Sequence, residues 1–179
     1  MKEEYEIRVC SSELIQEELN ELRQESWGLT QSNIDVVYGP MVEIDRKEDP
    51  IRKHLTIWYK GKIVASSRYG FHNDLNDVPY SDFFKADPTM NIALPTVSLS
   101  RVVVHPDHRR KNLSMLLLNH SLDMAKNDTA NSVLGFPFSW RLNHLLKRGF
   151  TEIKALSGAN AAFPLETVYV VLKAVKNSN

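Results

Sequence analysis

A basic turn between a strand and a helix is the part of this sequence whose residues are best suited to chemistry. Pro106 stops the β-branched run that precedes the turn, and a helical pattern begins near Asn112. Cations at a helix N-terminus oppose the helix macrodipole, and the unpaired backbone N–H groups there add further positive potential. A bound anion, above all a phosphate, resolves this conflict. The run His108-Arg109-Arg110-Lys111 therefore predicts a phosphorylated ligand.

The residues of this turn resemble the acyl-CoA-binding signature of the GNAT N-acyltransferase superfamily. In that signature, a strand ending in Val-His-Pro is followed by Arg-x-x-Gly-x-Gly/Ala and an amphipathic helix. Asn112 stands here at the first glycine, and asparagine adopts left-handed backbone conformations more readily than most residues. The resemblance implies that the CoA pyrophosphate binds at residues 109–114, which are Arg109, Arg110, Lys111, Asn112, Leu113 and Ser114.

Strands and helices can be predicted along most of the chain from hydrophobic periodicity and turn residues. A strand over residues 5–10 precedes a helix that has Ser11 or Ser12 as its N-cap and stops at Gly28, and a hairpin over residues 54–69 turns at Lys60 and Gly61. After the basic turn come a helix, a strand over 132–136, a helix capped by Ser139, and strands over 150–156 and 167–175.

This order of elements is similar to that of the GNAT fold, and the resemblance implies the fold class. We expect an α/β (α+β) chain with a mixed, mostly antiparallel central sheet of about seven strands, flanked by helices, with a splayed central cleft. One domain is expected to span residues 1–179. Residues 71–95 fit no element, and two interpretations remain open for them: a lid or binding loop over the acceptor side of the cleft, or a surface insertion.

A second set of residues resembles a narrower branch of the superfamily, the acyl-homoserine-lactone synthases and related N-acyl amino acid synthases. These enzymes move a fatty acyl chain, often from acyl carrier protein, onto an amino-acid-like amine. The resemblance implies that Arg68, Arg101 and Trp27 bind the acceptor. The alternative is that the charged residues form structural ion pairs, for example Arg23 with Asp45 or Arg68 with Asp49. The residues that carry this resemblance are Arg23, Trp27, Asp45, Asp49, Arg68 and the Ser-x-Ser-Arg run that ends at Arg101.

Acyl transfer from a thioester requires a held donor, a stabilised oxyanion and a deprotonated amine. The resemblance implies that the backbone of the central strand, at Val102, Val103 and Val104, holds the pantetheine arm and the carbonyl, with Asn143 also among the CoA-binding residues. Backbone donors suffice for an oxyanion. Ser98 stands where the lactone synthases have a glutamate. Leu145 stands where many relatives have a tyrosine that protonates the leaving thiolate. The candidate catalytic residues are therefore Ser98, Arg101, His72 and Tyr80.

Composition argues against a nucleic-acid-binding protein, a disulfide-linked fold and a membrane-spanning protein. The chain has 22 basic and 22 acidic residues, and no second basic stripe extends the turn, which argues against nucleic acid as a partner. Cys10 is the single cysteine, so no internal disulfide can form. No apolar run approaches the ~18 residues of a membrane span, and the N-terminus lacks the apolar core of a signal peptide. We expect a cytoplasmic protein without a metal.

These observations predict an N-acyltransferase that moves an acyl group from acyl-CoA, acetyl-CoA in the first instance, to a primary amine of a small molecule or protein. Two alternatives remain. One is an enzyme resembling N-acyl amino acid synthases that uses acyl carrier protein, for which Arg46, Lys47, Arg52 and Lys53 could supply a basic docking surface. The other is a catalytically weak acyl-CoA-binding regulatory domain. If the protein forms an oligomer, we expect a homodimer.

Overall fold

A computed structural model describes residues 5–28, 39, 42, 45–159 and 165–175 of the chain. Short 3₁₀ turns connect several of the elements. The helices and strands within the described residues are β1 (Glu6–Ser11), α1 (Gln16–Ser26), β2 (Lys53–Tyr59), β3 (Lys62–His72), β4 (Thr96–Val104), α2 (Leu113–Asn127), β5 (Ser132–Gly135), α3 (Ser139–Leu146), β6 (Thr151–Ser157) and β7 (Thr167–Ala174).

The described strands form one seven-stranded sheet in the order β1-β2-β3-β4-β5-β7-β6. β4 and β5 are parallel, whereas β1/β2, β2/β3, β5/β7 and β6/β7 pair antiparallel. The expected mixed, mostly antiparallel sheet is therefore confirmed. The register between β4 and β5 runs from Thr96↔Ser132 to Leu99↔Gly135, and β4 then continues to Val104. The registered pairs stop at Gly135 because β5 ends there.

The chain divides into two compact units, and the unit boundaries fall within β3, β4 and α2. The first unit comprises Met1–Tyr69 and Arg101–Ser121. Its core contains α1 residues that lie three and four positions apart, which is the spacing of one helix face. The buried residues of this core are Ile15, Leu19, Leu22, Ile63 and Val103.

The second unit comprises Gly70–Ser100 and Leu122–Asn179. The sequence predicted no element for residues 71–95. In the structure β3 continues to His72, and two 3₁₀ turns follow, Leu75–Asp77 and Ser81–Phe83. Val78, Phe84 and Ile92 from this segment are buried with Leu134, Leu156, Val168 and Val170. The segment is thus part of the core of the second unit, and the interpretation as a surface insertion is wrong.

Two predicted helix starts are also wrong. Ser11 or Ser12 was expected to be the N-cap of the helix after β1, but Ser11 is the N-cap of a 3₁₀ turn over Ser12–Leu14 and Ile15 is the N-cap of α1. The backbone N–H of Ile15 donates to the Ser12 carbonyl at 3.0 Å, which closes this turn. Ser139 is the first residue of α3 and Phe138 its N-cap. By contrast, the predicted hairpin turn is confirmed, since Lys60 and Gly61 both have positive φ, at 49° and 80°. The single domain over residues 1–179 stays a prediction.

Candidate functional site

The basic turn is built from a 3₁₀ turn and two left-handed residues. His105 is the N-cap of the 3₁₀ turn Pro106–His108, and its ring accepts from the backbone N–H of Asp107. Arg110 has φ 62° and Asn112 has φ 58°, so the left-handed conformation that replaces a glycine is present at Asn112. Arg110 is a second such residue that the sequence did not indicate. Left-handed residues orient successive backbone N–H groups toward a common point, an arrangement that binds anions.

The side chain of Arg109 caps the C-terminal end of a different helix, α1. Its Nη2 donates to the carbonyl of Ser26, the last residue of α1, at 2.6 Å. His105 Nε2 lies 3.1 Å from Glu25 Oε2 in the last turn of the same helix. A cation is favourable at a helix C-terminus, because the macrodipole is negative there. The cation that is misplaced at the start of α2 is therefore well placed at the end of α1.

Two of the other residues of the turn contact the Tyr5 side chain, and several are exposed to solvent. His108 Nδ1 lies 3.0 Å from the hydroxyl of Tyr5, and Lys111 Nζ lies 5.9 Å from the centre of the Tyr5 ring. Arg110, Lys111 and Asn112 are exposed. With Arg109, which is also exposed, the exposed part of the turn carries three cations and two left-handed residues at the beginning of a 15-residue helix.

Three arginines and two aspartates form a buried cluster in the first unit, here called the arginine–aspartate cluster. Arg23 donates to Asp45 at 3.1 Å and to Asp49 at 2.6 and 3.2 Å. Arg68 Nη1 donates to both aspartates, at 3.0 and 3.1 Å. Arg101 Nε donates to Asp45 Oδ1 at 2.6 Å. The Arg23 side chain is 0% exposed, whereas that of Arg101 is 12% exposed, the most of the five.

Charge and burial compete within this cluster. Burial raises the pKa of Asp49, but the hydrogen bond from Arg23 and the charges of Arg23 and Arg68 outweigh burial, so the pKa lies below its ordinary value. His54 is fully buried with its Nε2 3.6 Å from Asp49 Oδ1. Burial is the main cause that lowers the pKa of His54 to about 4, with Asp49 opposing it. His54 is therefore neutral near pH 7, and sequence reasoning did not identify it.

Both ion pairs that the sequence offered as a structural alternative are present. Arg23 pairs with Asp45, and Arg68 pairs with Asp49. Arg101 also has a carboxylate partner, and its guanidinium carbon lies 5.9 Å from the centre of the Trp27 ring. These pairs favour a structural role for Arg68. Acceptor binding by Arg68, Arg101 and Trp27 stays a prediction.

Two candidate catalytic residues come together in the second unit. His72 Nε2 lies 2.7 Å from the hydroxyl oxygen of Ser98, and the two residues are 1% and 2% exposed. Tyr80 has φ 63° and its ring lies 5.3 Å from that of Phe136, within the core of this unit. The structure thus joins His72 to Ser98, and it packs Tyr80 against an aromatic neighbour.

The remaining predicted CoA-binding residues differ in exposure. Val103 packs its side chain into the core of the first unit. Asn143 lies on α3 and is exposed. Within the described ranges, no group of three or more His, Cys, Asp or Glu residues is arranged to hold a metal ion. The helices of those ranges include none with the length and apolar character needed to cross a membrane.

Comparison with known proteins supports the family that the basic turn resembles. Residues 35–119 match the family described as the acetyltransferase (GNAT) domain. No match was found among curated protein sequences. The family match includes the arginine–aspartate cluster residues from Asp45 to Arg101 and the whole basic turn.

Solved structures agree with this family along nearly the whole chain. The ribosomal-protein-S18-alanine N-acetyltransferase from Escherichia coli has a TM-score of 0.67 at 12% identity, covering 98% of this chain and 97% of that one. An acyl-CoA N-acyltransferase from Pseudomonas aeruginosa has a TM-score of 0.64 at 16% identity, covering 96% and 100%. The PaiA N-acetyltransferase from Thermoplasma acidophilum, in complex with coenzyme A, has a TM-score of 0.59 at 16% identity, covering 96% and 99%.

At these identities the structural similarity shows the fold. The fold is that of GNAT N-acetyltransferases, and the family match over residues 35–119 supports the superfamily that the basic turn indicated. The narrower resemblance to N-acyl amino acid synthases stays a prediction.

Proposed function

We propose that this protein is an N-acyltransferase that moves an acyl group from acyl-CoA, with acetyl-CoA as the first donor to test, to a primary amine of a small molecule or protein. The observation that carries the proposal is the basic turn at the start of α2. Within a GNAT fold, this turn brings exposed cations and two left-handed residues to a helix N-terminus. The PaiA structure with coenzyme A supports the choice of donor. The single cysteine is compatible with the proposed cytoplasmic location.

In this proposal the exposed turn binds the CoA pyrophosphate. Backbone N–H groups of Arg110 through Ser114 and the side chains of Arg110 and Lys111 would neutralise its charge. The backbone of Val102–Val104 would hold the pantetheine arm and the thioester carbonyl. The amine nitrogen then attacks the carbonyl carbon, the C–N bond forms and the C–S bond breaks. One proton leaves the amine, and the thiolate of CoA takes up a proton.

We propose His72 as the group that accepts the amine proton, through the hydroxyl of Ser98. The 2.7 Å separation permits the serine to donate its proton to His72 Nε2 while it accepts one from the amine. A general base of this kind contributes about 10²–10⁴ in rate, so the transfer still proceeds slowly without it. Replacing Ser98 by alanine should therefore lower kcat and leave CoA affinity unchanged.

The decisive experiment follows the release of free CoA thiol. The protein is incubated with acetyl-, octanoyl- and palmitoyl-CoA and a panel of amines that includes free amino acids, polyamines and peptide N-termini. Amine-dependent thiol release with at least one donor supports the proposal. Calorimetric binding of CoA without thiol release for any combination would favour the regulatory domain, and absence of CoA binding would refute the acyl-CoA assignment altogether.

A second candidate is an enzyme resembling N-acyl amino acid synthases, and its basis is that the residues carrying the resemblance meet in one place, although the ion pairs among them favour a structural role for Arg68. The five charged residues that carry that resemblance lie together in the arginine–aspartate cluster. In this candidate the donor is acyl carrier protein, which is acidic and needs a basic surface. Arg46, Lys47 and Lys53 are exposed near the cluster residues in sequence, although Arg52 is paired with Glu48. Faster transfer from an acylated carrier protein than from the matching acyl-CoA would support this candidate.

A further inference from the structure

We propose that the ion pair between Asp45 and Arg101 is a positioning device for acyl-CoA. It holds Arg101 in a left-handed conformation within β4, and this conformation sets the direction of the backbone groups of the next three residues. The inference rests on the proposed function, in which the backbone of Val102–Val104 holds the donor. Arg101 is in this view a positioning residue that does not itself touch the substrate.

The first observation is the backbone conformation of Arg101. Its φ is 51°, although it lies inside the strand Thr96–Val104. Strand residues have φ between about −120° and −140°. A left-handed conformation is disfavoured for every L residue, and only glycine and, to a lesser degree, asparagine and aspartate adopt it routinely. An arginine persists there only when its surroundings hold it in place.

The second observation is the anchor. Arg101 Nε donates to Asp45 Oδ1 at 2.6 Å, and the Asp45 side chain is 3% exposed. Asp45 also accepts from Arg23 and Arg68, so its carboxylate is fixed from two other directions. The Trp27 ring lies 5.9 Å from the Arg101 guanidinium. The guanidinium is therefore held by groups of its own unit, and its position constrains the backbone to which it is attached.

The third observation is the place of Arg101 along β4. The registered pairs between β4 and β5 end at Leu99↔Gly135, shortly before Arg101. A left-handed residue redirects a strand in the manner of a β-bulge, and bulges are common beside active sites. The residues that follow it are Val102, Val103 and Val104. The conformation of Arg101 consequently decides where their N–H and C=O groups point.

A pair of substitutions separates this role from direct contact with the acceptor. Arg101→Gly and Arg101→Ala both remove the guanidinium, but only glycine adopts the left-handed conformation without strain. We expect CoA affinity of Arg101→Gly within about threefold of the wild type, and a loss of about tenfold for Arg101→Ala, the fold-change that matches the left-handed penalty of an L residue. Arg101→Asn should lie between them. Calorimetry measures CoA affinity, and thermal melts verify that each variant is folded.

The chain offers a matched control at Lys60. Its φ of 49° nearly equals that of Arg101, but it lies in the turn between β2 and β3. Lys60→Gly and Lys60→Ala make the same backbone change and should leave CoA affinity equal to each other and to the wild type. A difference between glycine and alanine at 101 that is absent at 60 supports the proposal. Equal CoA affinities of Arg101→Gly and Arg101→Ala would overturn it.

A double-mutant cycle tests the anchor itself. Asp45→Asn should lower CoA affinity when residue 101 is arginine, and should have little further effect when residue 101 is glycine, because glycine needs no anchor. Equal effects of Asp45→Asn in the two backgrounds would overturn the positioning role of the pair. Direct contact with the acceptor predicts instead that both Arg101 variants raise the acceptor KM alike with CoA affinity unchanged. Failure of the wild-type protein to bind CoA would refute the proposed function, an outcome separate from these ratios.

Discussion

Left-handed residues are concentrated in one short stretch of this chain. Among the described residues, Lys60, Tyr80, Arg101, Arg110, Asn112 and Thr129 are the non-glycine residues with positive φ. Three of these six lie between residues 101 and 112. Sparsely populated conformations cluster at ligand sites, because the fold must hold them against their local preference. The stretch from the end of β4 to the start of α2 therefore holds half of the described left-handed non-glycine residues, and it coincides with the proposed CoA site.

Asn112 provides a test at the level of one residue. Its φ of 58° permits glycine, so Asn112→Gly should leave CoA affinity unchanged or slightly improved. Asn112→Ala should lose about 1 kcal/mol of unfolding free energy and weaken CoA binding, because alanine resists the left-handed conformation. Urea unfolding and calorimetry measure the two effects. Equal behaviour of the glycine and alanine variants would contradict the role given to this residue.

His54 predicts a specific pH dependence of stability. Burial lowers its pKa in the folded protein to about 4, compared with 6.5 for the ordinary side chain. Between these values the unfolded chain binds a proton that the folded chain does not, so stability falls as the pH decreases from 6.5 to about 4 and the effect is constant below that. The full loss is on the order of 3 kcal/mol.

Replacing His54 should remove this slope. Urea unfolding of His54→Gln as a function of pH should show a flatter profile between pH 6.5 and 4, whatever its absolute stability. His120→Gln, at an exposed position on α2, is the matched control and should keep the wild-type slope. An unchanged slope in His54→Gln would show that another group titrates in this range.

At the level of elements, the arginine–aspartate cluster connects α1 to the strands of the first unit. Arg23 on α1, Asp49 before β2 and Arg68 on β3 meet in it. A buried ion pair contributes little compared with apolar packing, but removal of one partner leaves a buried charge without compensation. The cluster therefore specifies which elements meet. Replacing any one of its residues should lower the free energy of unfolding substantially.

Arg23→Met tests this connection. It should destabilise the protein by about 3–5 kcal/mol, because Asp49 loses its closest partner. For a chain of this length, that corresponds to a fall of roughly 10 °C or more in Tm. Arg8→Met, which removes an exposed pair with Glu6, should leave Tm nearly unchanged. A small effect of Arg23→Met in a thermal melt would mean that Arg68 alone compensates the carboxylates.

The basic turn offers a second test at this level, because its two arginines have different surroundings. Arg110→Glu should weaken CoA binding by more than about 2 kcal/mol and leave Tm unchanged. Arg109→Glu should weaken CoA binding and also lower Tm, since it loses the hydrogen bond to Ser26 at the end of α1. Calorimetry and melts on the two variants separate these effects. Unchanged CoA affinity in both would refute the phosphate-binding role of the turn.

At the level of the whole molecule, the proposed donor should stabilise the folded chain by mass action. At a CoA concentration about 100 times its Kd, the expected gain is roughly 2.7 kcal/mol. This raises Tm by about 5–10 °C for a chain of this size. Differential scanning calorimetry with and without CoA measures the shift, and a single transition would support the expected single domain. The shift should be absent in the double variant Arg110→Glu, Lys111→Glu.

Much of the architecture could be predicted because its signals are local. The hairpin at Lys60 and Gly61 follows from two residues, and the start of α2 follows from Pro106 and the apolar spacing after Asn112. The helix starts near Ser12 and Ser139 were misjudged because a serine that could cap a helix can equally close a 3₁₀ turn or stand first in the helix. The surface-insertion interpretation of residues 71–95 was wrong because the buried Val78, Phe84 and Ile92 have no regular spacing, whereas the interpretation as a lid or binding loop stays a prediction.

By itself, the sequence determined the order of the elements, the GNAT superfamily and the basic turn, since each depends on residues near one another in the chain. The sequence offered the pairs Arg23–Asp45 and Arg68–Asp49 only as one alternative, and the tertiary structure decided the partners. It placed Arg109 on the end of α1, joined His72 to Ser98, buried His54 beside Asp49 and gave Asp45 three guanidinium partners. These partners are distant in sequence, and many pairings of three arginines with two aspartates satisfy charge equally well. Only the packing of α1 and the strands selects among them.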